Sequence, residues 1–305
     1  MGVQAVPAVA QRDDRRTAYV TLLVGMVAFG GTWPAGKVVA EHVPPAVIAV
    51  TRFVCAAGLL WLWARLSGSR VRRPSRADLP LVFALGFTVV FAYNLFFLYG
   101  VRHAPASDGS VLVPGLIPIV TTLVAWAALG ERPSRRSGVG LILALAGLVV
   151  VAAPTSDLST RRIVGDVLFV GGAVSWAAYT LVGRRATARY GSVNANVYAT
   201  AAGALLLIPV SFFDGGWGPL LHAPVQALGA IAYLAVIGTV LAFVAFYEGV
   251  RLIGAARASS FALLVPVFGV LSAVLVLHEP LRLSLVAGGG IVLAGLWLAE
   301  SGSRK

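Results

Sequence analysis

The chain has 305 residues, of which 58% are hydrophobic and only 12% charged. Soluble domains carry about 25% charged residues, so this composition excludes a water-soluble enzyme or binding domain. Its net charge of +12 comes from 24 Lys and Arg against 12 Asp and Glu. These basic residues are scattered in short clusters between apolar runs, not gathered into a patch or stripe, which predicts membrane loops and no nucleic-acid partner. Cys55 is the single cysteine, so no intramolecular disulfide forms.

In chain order, residues 1–17 read as a polar cytoplasmic tail containing Arg12, Arg15 and Arg16. The apolar stretch that follows is longer than the 7–15 residues of a secretory signal core, so it is expected to be a retained first span. Membrane spans are expected near 18–39, 44–64, 79–100, 105–129, 138–153, 165–183, 193–213, 225–247, 258–277 and 284–299. The expected fold class is an all-α integral membrane protein of ten transmembrane helices. A first five-helix half (18–153) is followed by an outer linker (154–164), a second five-helix half (165–299) and a short cytoplasmic tail (300–305). With the N-terminus inside, the inner segments hold eighteen Lys and Arg and the outer ends five. That bias predicts a multi-pass protein of the cell inner (plasma) membrane with both termini cytoplasmic.

The two halves repeat. Phe97-Leu98-Tyr99-Gly100-Val101-Arg102 recurs as Phe246-Tyr247-Glu248-Gly249-Val250-Arg251. Pro118, Glu131 and Leu145-Ala146-Gly147-Leu148 recur as Pro266, Glu279 and Leu293-Ala294-Gly295-Leu296 with the same spacings of 13 and 14. An odd number of spans per half makes the second copy enter the bilayer from the opposite side. Such inverted repeats mark secondary transporters, whose substrate site lies near the midplane between the halves; channels can also contain them.

With Gly31-x-Trp33 to Lys37 closing the first span, Pro44-Pro45 and Arg52-Phe53 in the second, Pro118 to Gly130-Glu131, and Gly165-Asp166 opening the sixth, nearly the whole chain resembles the EamA-type members of the drug/metabolite transporter superfamily. The resemblance implies an inner-membrane carrier, usually an exporter of amino acids or other small metabolites, with a central cavity lined by spans 1, 3, 4, 6, 8 and 9.

Soluble-protein motifs do not hold. Gly31 to Lys37 matches a phosphate-binding loop, but Val38 stands where Ser or Thr belongs and no strand precedes it. Signatures of intramembrane Ser hydrolases and zinc proteases are missing, so no catalytic residue, metal or cofactor is expected. His42, His103, His222 and His278 fall at outer span ends, where interfacial loop histidines outweigh a pH or metal cluster.

Polar and aromatic groups at membrane depth supply the candidates. Arg52 lies about 12 Å below the outer end of its span, as an anion or carboxylate contact or as a tie to backbone carbonyls or a helix terminus. Asn94, beside Tyr93, holds a substrate polar group or bonds across helices. Trp33, Trp176, Tyr179 and Tyr247 fall on spans that the resemblance assigns to the cavity; each alone also reads as packing. Pro114, Pro118 and Pro266 remove helix hydrogen bonds and are the candidates for gating bends, with simple kinks as the alternative. Asp108 and Arg257 occupy equivalent positions of the repeat, and their depths place them at opposite mouths.

The reading is a secondary transporter, expected as an exporter of small amphipathic metabolites such as amino acids. Of the acids, Asp166, Glu131 and Glu279 are expected to cap helix ends. Only Asp108 and Glu248 remain near the cavity, both near mouths, which favours facilitated transport over proton-coupled antiport. A passive channel is the alternative of another class. Expected partners are a small-molecule substrate and the lipid bilayer, with the chain as monomer or homodimer.

Overall fold

The computed structural model describes residues 8–66, 74–130, 133–152, 159–253 and 255–303; among them there are helices and turns and no strand. That follows from the solvent: apolar sequence in hydrocarbon has to satisfy each backbone N–H and C=O internally, and a helix does so within one segment.

The first span is a pair of helices, α1 (Ala8–Gly30) and α2 (Thr32–Ala40), interrupted at Gly31. The freed carbonyls are taken by side chains: Tyr233 Oη donates to Ala28 O at 3.1 Å, Thr32 Oγ1 to Phe29 O at 2.6 Å and Ser272 Oγ to Gly30 O at 3.3 Å. α3 (Pro45–Leu66) is the second span. The third runs from α4 (Leu79–Leu85) through a π-helical segment, Gly86–Ala92, into α5 (Tyr93–His103). α6 (Ala106–Leu129) and α7 (Arg135–Ala152) complete the first half.

The second half opens on α8 (Thr160–Phe213), which holds spans six and seven. The sixth was expected to end at 183. It continues instead to Gly191, whose φ of 77° takes the chain out of the helix in a conformation that a side chain would strain. After α9 (Gly218–Leu221), the eighth span runs from α10 (Val225–Ala232) through a second π-helical segment, Tyr233–Leu241, into α11 (Ala242–Ile253). α12 (Ala255–Phe261), α13 (Leu264–Leu277) and α14 (Leu283–Ser303) follow.

Of the ten expected spans, the ninth is the one whose helix falls short of a full crossing. Among the described residues, nine helical stretches are long and apolar enough to cross a membrane. The expected ninth span, 258–277, is discontinuous. α13 has 14 residues, about 21 Å at 1.5 Å per residue against a hydrocarbon core of about 30 Å. Pro266 lies in the first turn of α13, where its missing N–H costs nothing, while its ring excludes a helical carbonyl at residue 262. Residues 262 and 263 form a turn at that position, closed by Val265 N donating to Ala262 O at 3.1 Å.

Helix contacts exchange as an inverted two-fold requires: the third span packs on the sixth and the eighth on the first, the second on the eighth and the seventh on the third. Two pairs meet across the pseudo-axis, α6 with α13 and, most extensively, α7 with α14. In the latter, glycines bring backbones together; a Cβ on Gly295 would lie 2.4 Å from Ala144 N, and one on Gly147 2.6 Å from Val292 N.

Candidate functional site

Four of the sequence-selected aromatics meet between spans 1, 3 and 6. Trp33 packs edge-on against Phe97 (centroids 5.0 Å) and Phe169 (5.8 Å), and Phe97 stacks with Tyr93 at 6.2 Å. Tyr93 meets Trp176 at 4.8 Å, and Trp176 meets Tyr179 at 5.8 Å. The cluster grades from sealed to open: Trp33, Phe97 and Phe169 are buried, whereas Tyr93, Trp176 and Tyr179 are part-exposed. Phe97 and Phe169 were not singled out from sequence, because nothing local separates an interior Phe from a lipid-facing one. The Tyr247 side chain lies outside the described residues.

Beside this cluster is a buried polar network. Arg52, 8% exposed, donates from Nε to Thr239 Oγ1 at 3.0 Å and from Nη1 to Asn94 Oδ1 at 3.1 Å. Asn94 Nδ2 donates to Val89 O at 2.9 Å, and Thr239 Oγ1 donates to Leu234 O at 2.8 Å, each reaching five residues back along its helix. The two π-helical segments are thus tied to one guanidinium, the first at its end by Asn94 and the second from within by Thr239. Such segments leave carbonyls out of the regular ladder and recur at functional sites. Both ends of the Asn94 amide are engaged inside the protein, as in the cross-helix alternative. Arg52 is tied to side chains rather than to the backbone carbonyls considered from sequence. Thr239 was missed; its only local signal is a hydroxyl in an apolar run.

Pro114 and Pro118 lie inside α6, which stays helical through both. A groove of about 560 Å³ between α3 and α10, lined by apolar groups including Val54, Leu62, Leu228 and Val236, opens on the outer surface of the bundle, as bilayer-facing residues do.

A second cluster sits at the N-terminus of α6. Asp108, 1% exposed, is in ionic contact with Arg162 (Nη2 to Oδ2, 3.1 Å) and accepts a hydrogen bond from Arg282. Glu279 accepts from the backbone N–H of Ala106 at 2.8 Å and of Ser107 at 3.0 Å, satisfying the free donors at that helix start. Lys37 Nζ donates to Ala104 O at 2.9 Å. Burial lowers the pKa of Arg282 from its usual value, leaving a guanidinium still charged at neutral pH. Glu279 caps a helix as expected, but Asp166 does not. α8 starts at Thr160 rather than 165, with Ser159 as its cap, so Asp166 falls in the second turn. Its Oδ1 is buried without a hydrogen-bond partner among the described residues. Glu131 lies outside the described residues.

The histidines do not form a metal site among the described residues: the ring nitrogens of His42, His103 and His222 each bond a carbonyl four residues back along the chain. Among the described residues, no group of three or more His, Cys, Asp and Glu is placed to hold a metal ion.

Comparison with known proteins agrees with this architecture. The model of the EamA-like transporter family matches twice, at residues 16–153 and 163–300, one match per repeat. The chain therefore belongs to the EamA-like transporter family. It is 30% identical to an uncharacterized transporter of Archaeoglobus fulgidus, with 92% of this chain and 97% of the relative aligned. It is 28% identical to the uncharacterized transporter YyaM of Bacillus subtilis, over 92% and 93% of the two chains. A probable terminal-alkyne amino-acid exporter of Streptantibioticus cattleyicolor is 29% identical over 91% of each. One crystal structure superimposes with a TM-score of 0.64 at 21% identity, covering 94% of this chain and 98% of the other, which shows the fold.

Proposed function

We propose that this transporter exports a small amphipathic metabolite of the amino-acid class by alternating access, in the cell inner membrane with both termini cytoplasmic. The observation that carries the reading is the graded aromatic cluster beside the Arg52–Asn94 network. The part-open faces of Tyr93, Trp176 and Tyr179 suit an apolar or cationic substrate moiety, and the guanidinium supplies the complementary charge for a carboxylate. The amino-acid exporter among its relatives supports the class. Pro114, Pro118 and Pro266 bend the helices that rearrange, and the break between α12 and α13 supports Pro266 most directly.

The test is efflux from preloaded cells across a panel of amino acids and related zwitterions. Retention of every member, at expression levels where a known exporter clears its own substrate, would overturn the assignment. Saturable counterflow in vesicles separates a carrier from a passive channel, which shows none.

A further inference from the structure

The charged cluster at the start of α6 belongs to no part of the aromatic site, yet it joins the two halves. Asp108 lies on α6 in the first half; Arg162 lies on α8, Arg282 just before α14 and Glu279 just after α13, all in the second. Each tie would have to break for the halves to part at that end. The inverted repeat places Arg257 where Asp108 has its counterpart. There the geometry is different: Arg257 is exposed and forms no ion pair among the described residues, and α12 packs chiefly on α11 and α1. At the other end, among the described residues, the halves are joined by Asp78 and an Arg189 side chain that is 58% exposed, so the scaffold carries a sheltered ionic cluster at one end and a solvent-facing pair at the other.

We infer that Asp108, Arg162, Arg282 and Glu279 form a gate that closes the Asp108 end and makes the state open toward the opposite end the resting conformation. Asp108 is the keystone because, among the described residues, it is the acid that contacts two guanidinium groups, the buried Arg162 and the half-buried Arg282. Removing its charge takes away the acid that Arg162 and Arg282 share across the halves, which disfavours the closed arrangement. Glu279 adds a second tie through the α6 amides, so the gate is lost in steps rather than at once. Under the orientation proposed above, on which this clause alone rests, the locked end faces outside and the resting carrier is open to the cytoplasm. That suits a protein that loads from within.

Side-specific labelling tests this. In a Cys55→Ser background, a reporter Ser107→Cys, 1% exposed beneath the gate, is treated with a membrane-impermeant maleimide on intact cells and on inside-out vesicles. With the gate intact the reporter reacts slowly from the outside. Asp108→Asn should raise that rate by about tenfold or more. Arg282→Gln should raise it by less, Asp108→Glu should restore the slow rate, and Arg257→Gln should leave it unchanged. Should Asp108→Asn not insert, Arg282→Gln and Arg162→Gln each remove one ionic partner and give the same reading. A rise seen only on inside-out vesicles upholds the gate and overturns the orientation. Well-folded Asp108→Asn and Arg282→Gln proteins whose reporter stays slow from both faces would overturn the gate.

Discussion

At the scale of single residues, burial separates side chains that the sequence treats alike. Trp33, Asn94, Trp176 and Tyr179 share one sequence argument, a non-aliphatic group on a cavity span. In the fold Trp33 is 3% and Asn94 1% exposed, while Trp176 and Tyr179 keep part of their surface open. Trp176→Ala and Tyr179→Ala should therefore cut transport while leaving the melting temperature of the purified protein nearly unchanged. Asn94→Ala should lower stability by about 1–3 kcal/mol, because it takes an acceptor from the buried Arg52. Parallel transport and thermal-unfolding measurements check both; equal destabilisation by all three would show that the aromatics are packing alone. Four of the cluster's residues were legible, since aromatic groups are sparse on those spans. The partner of Arg52 was not: Thr239 lies 187 positions away, and only the bundle brings them together.

Element by element, length and hydropathy marked the apolar stretches and the repeat ordered them, but neither says where a helix ends or breaks. Pro118 and Pro266 are equivalent in sequence, yet α6 continues through the first while the chain turns just before the second. The difference is tertiary, since neighbours decide whether a proline-freed carbonyl is satisfied within a bent helix or turned away. Pro266→Ala removes the ring that keeps residue 262 out of the helix and should let α12 and α13 join. Initial transport rates should then fall with little loss of folded protein; unchanged rates would remove Pro266 from the gating set. The α7–α14 pair gives a sharper expectation. Gly295→Leu puts a side chain where backbone already sits, 2.4 Å from Ala144 N, and should abolish recovery of monodisperse protein. Gly229→Leu is the control, because its Cβ meets nothing within 4 Å.

For the molecule as a whole, the charge pattern sorted the segments into two faces, and the contacts respect that sorting. Lys37 with Ala104, Arg161 with Arg102, Ala46 with Asp214 and Asp108 with its two arginines all join segments assigned outside; Asp78 with Arg189 and Ser260 with Glu300 join segments assigned inside. Cysteine scanning in a Cys55→Ser background should accordingly label Gly218→Cys, and not Pro74→Cys, from outside the cell; the reverse pattern inverts the orientation. Energy coupling then follows from where the acids are. A proton-driven carrier needs a carboxylate that meets one side and then the other as it turns over. Asp108 is held by two arginines, Glu248 is paired with Arg251 in its own helix, Glu279 caps α6, and Asp214 accepts from Ala46 N and Tyr99. Asp166 is the exception, with a buried oxygen that lacks a hydrogen-bond partner among the described residues, but it lies in the second turn of α8, at the charged end of that helix near Arg162. Transport is therefore expected to run down the substrate's own gradient. Proteoliposomes given a zwitterionic substrate should reach the same plateau with and without an imposed pH gradient. Accumulation above that plateau that requires the gradient would establish antiport, and its loss in Asp166→Asn, with Asp108→Asn and Glu248→Gln as comparisons, would identify the acid that carries the proton.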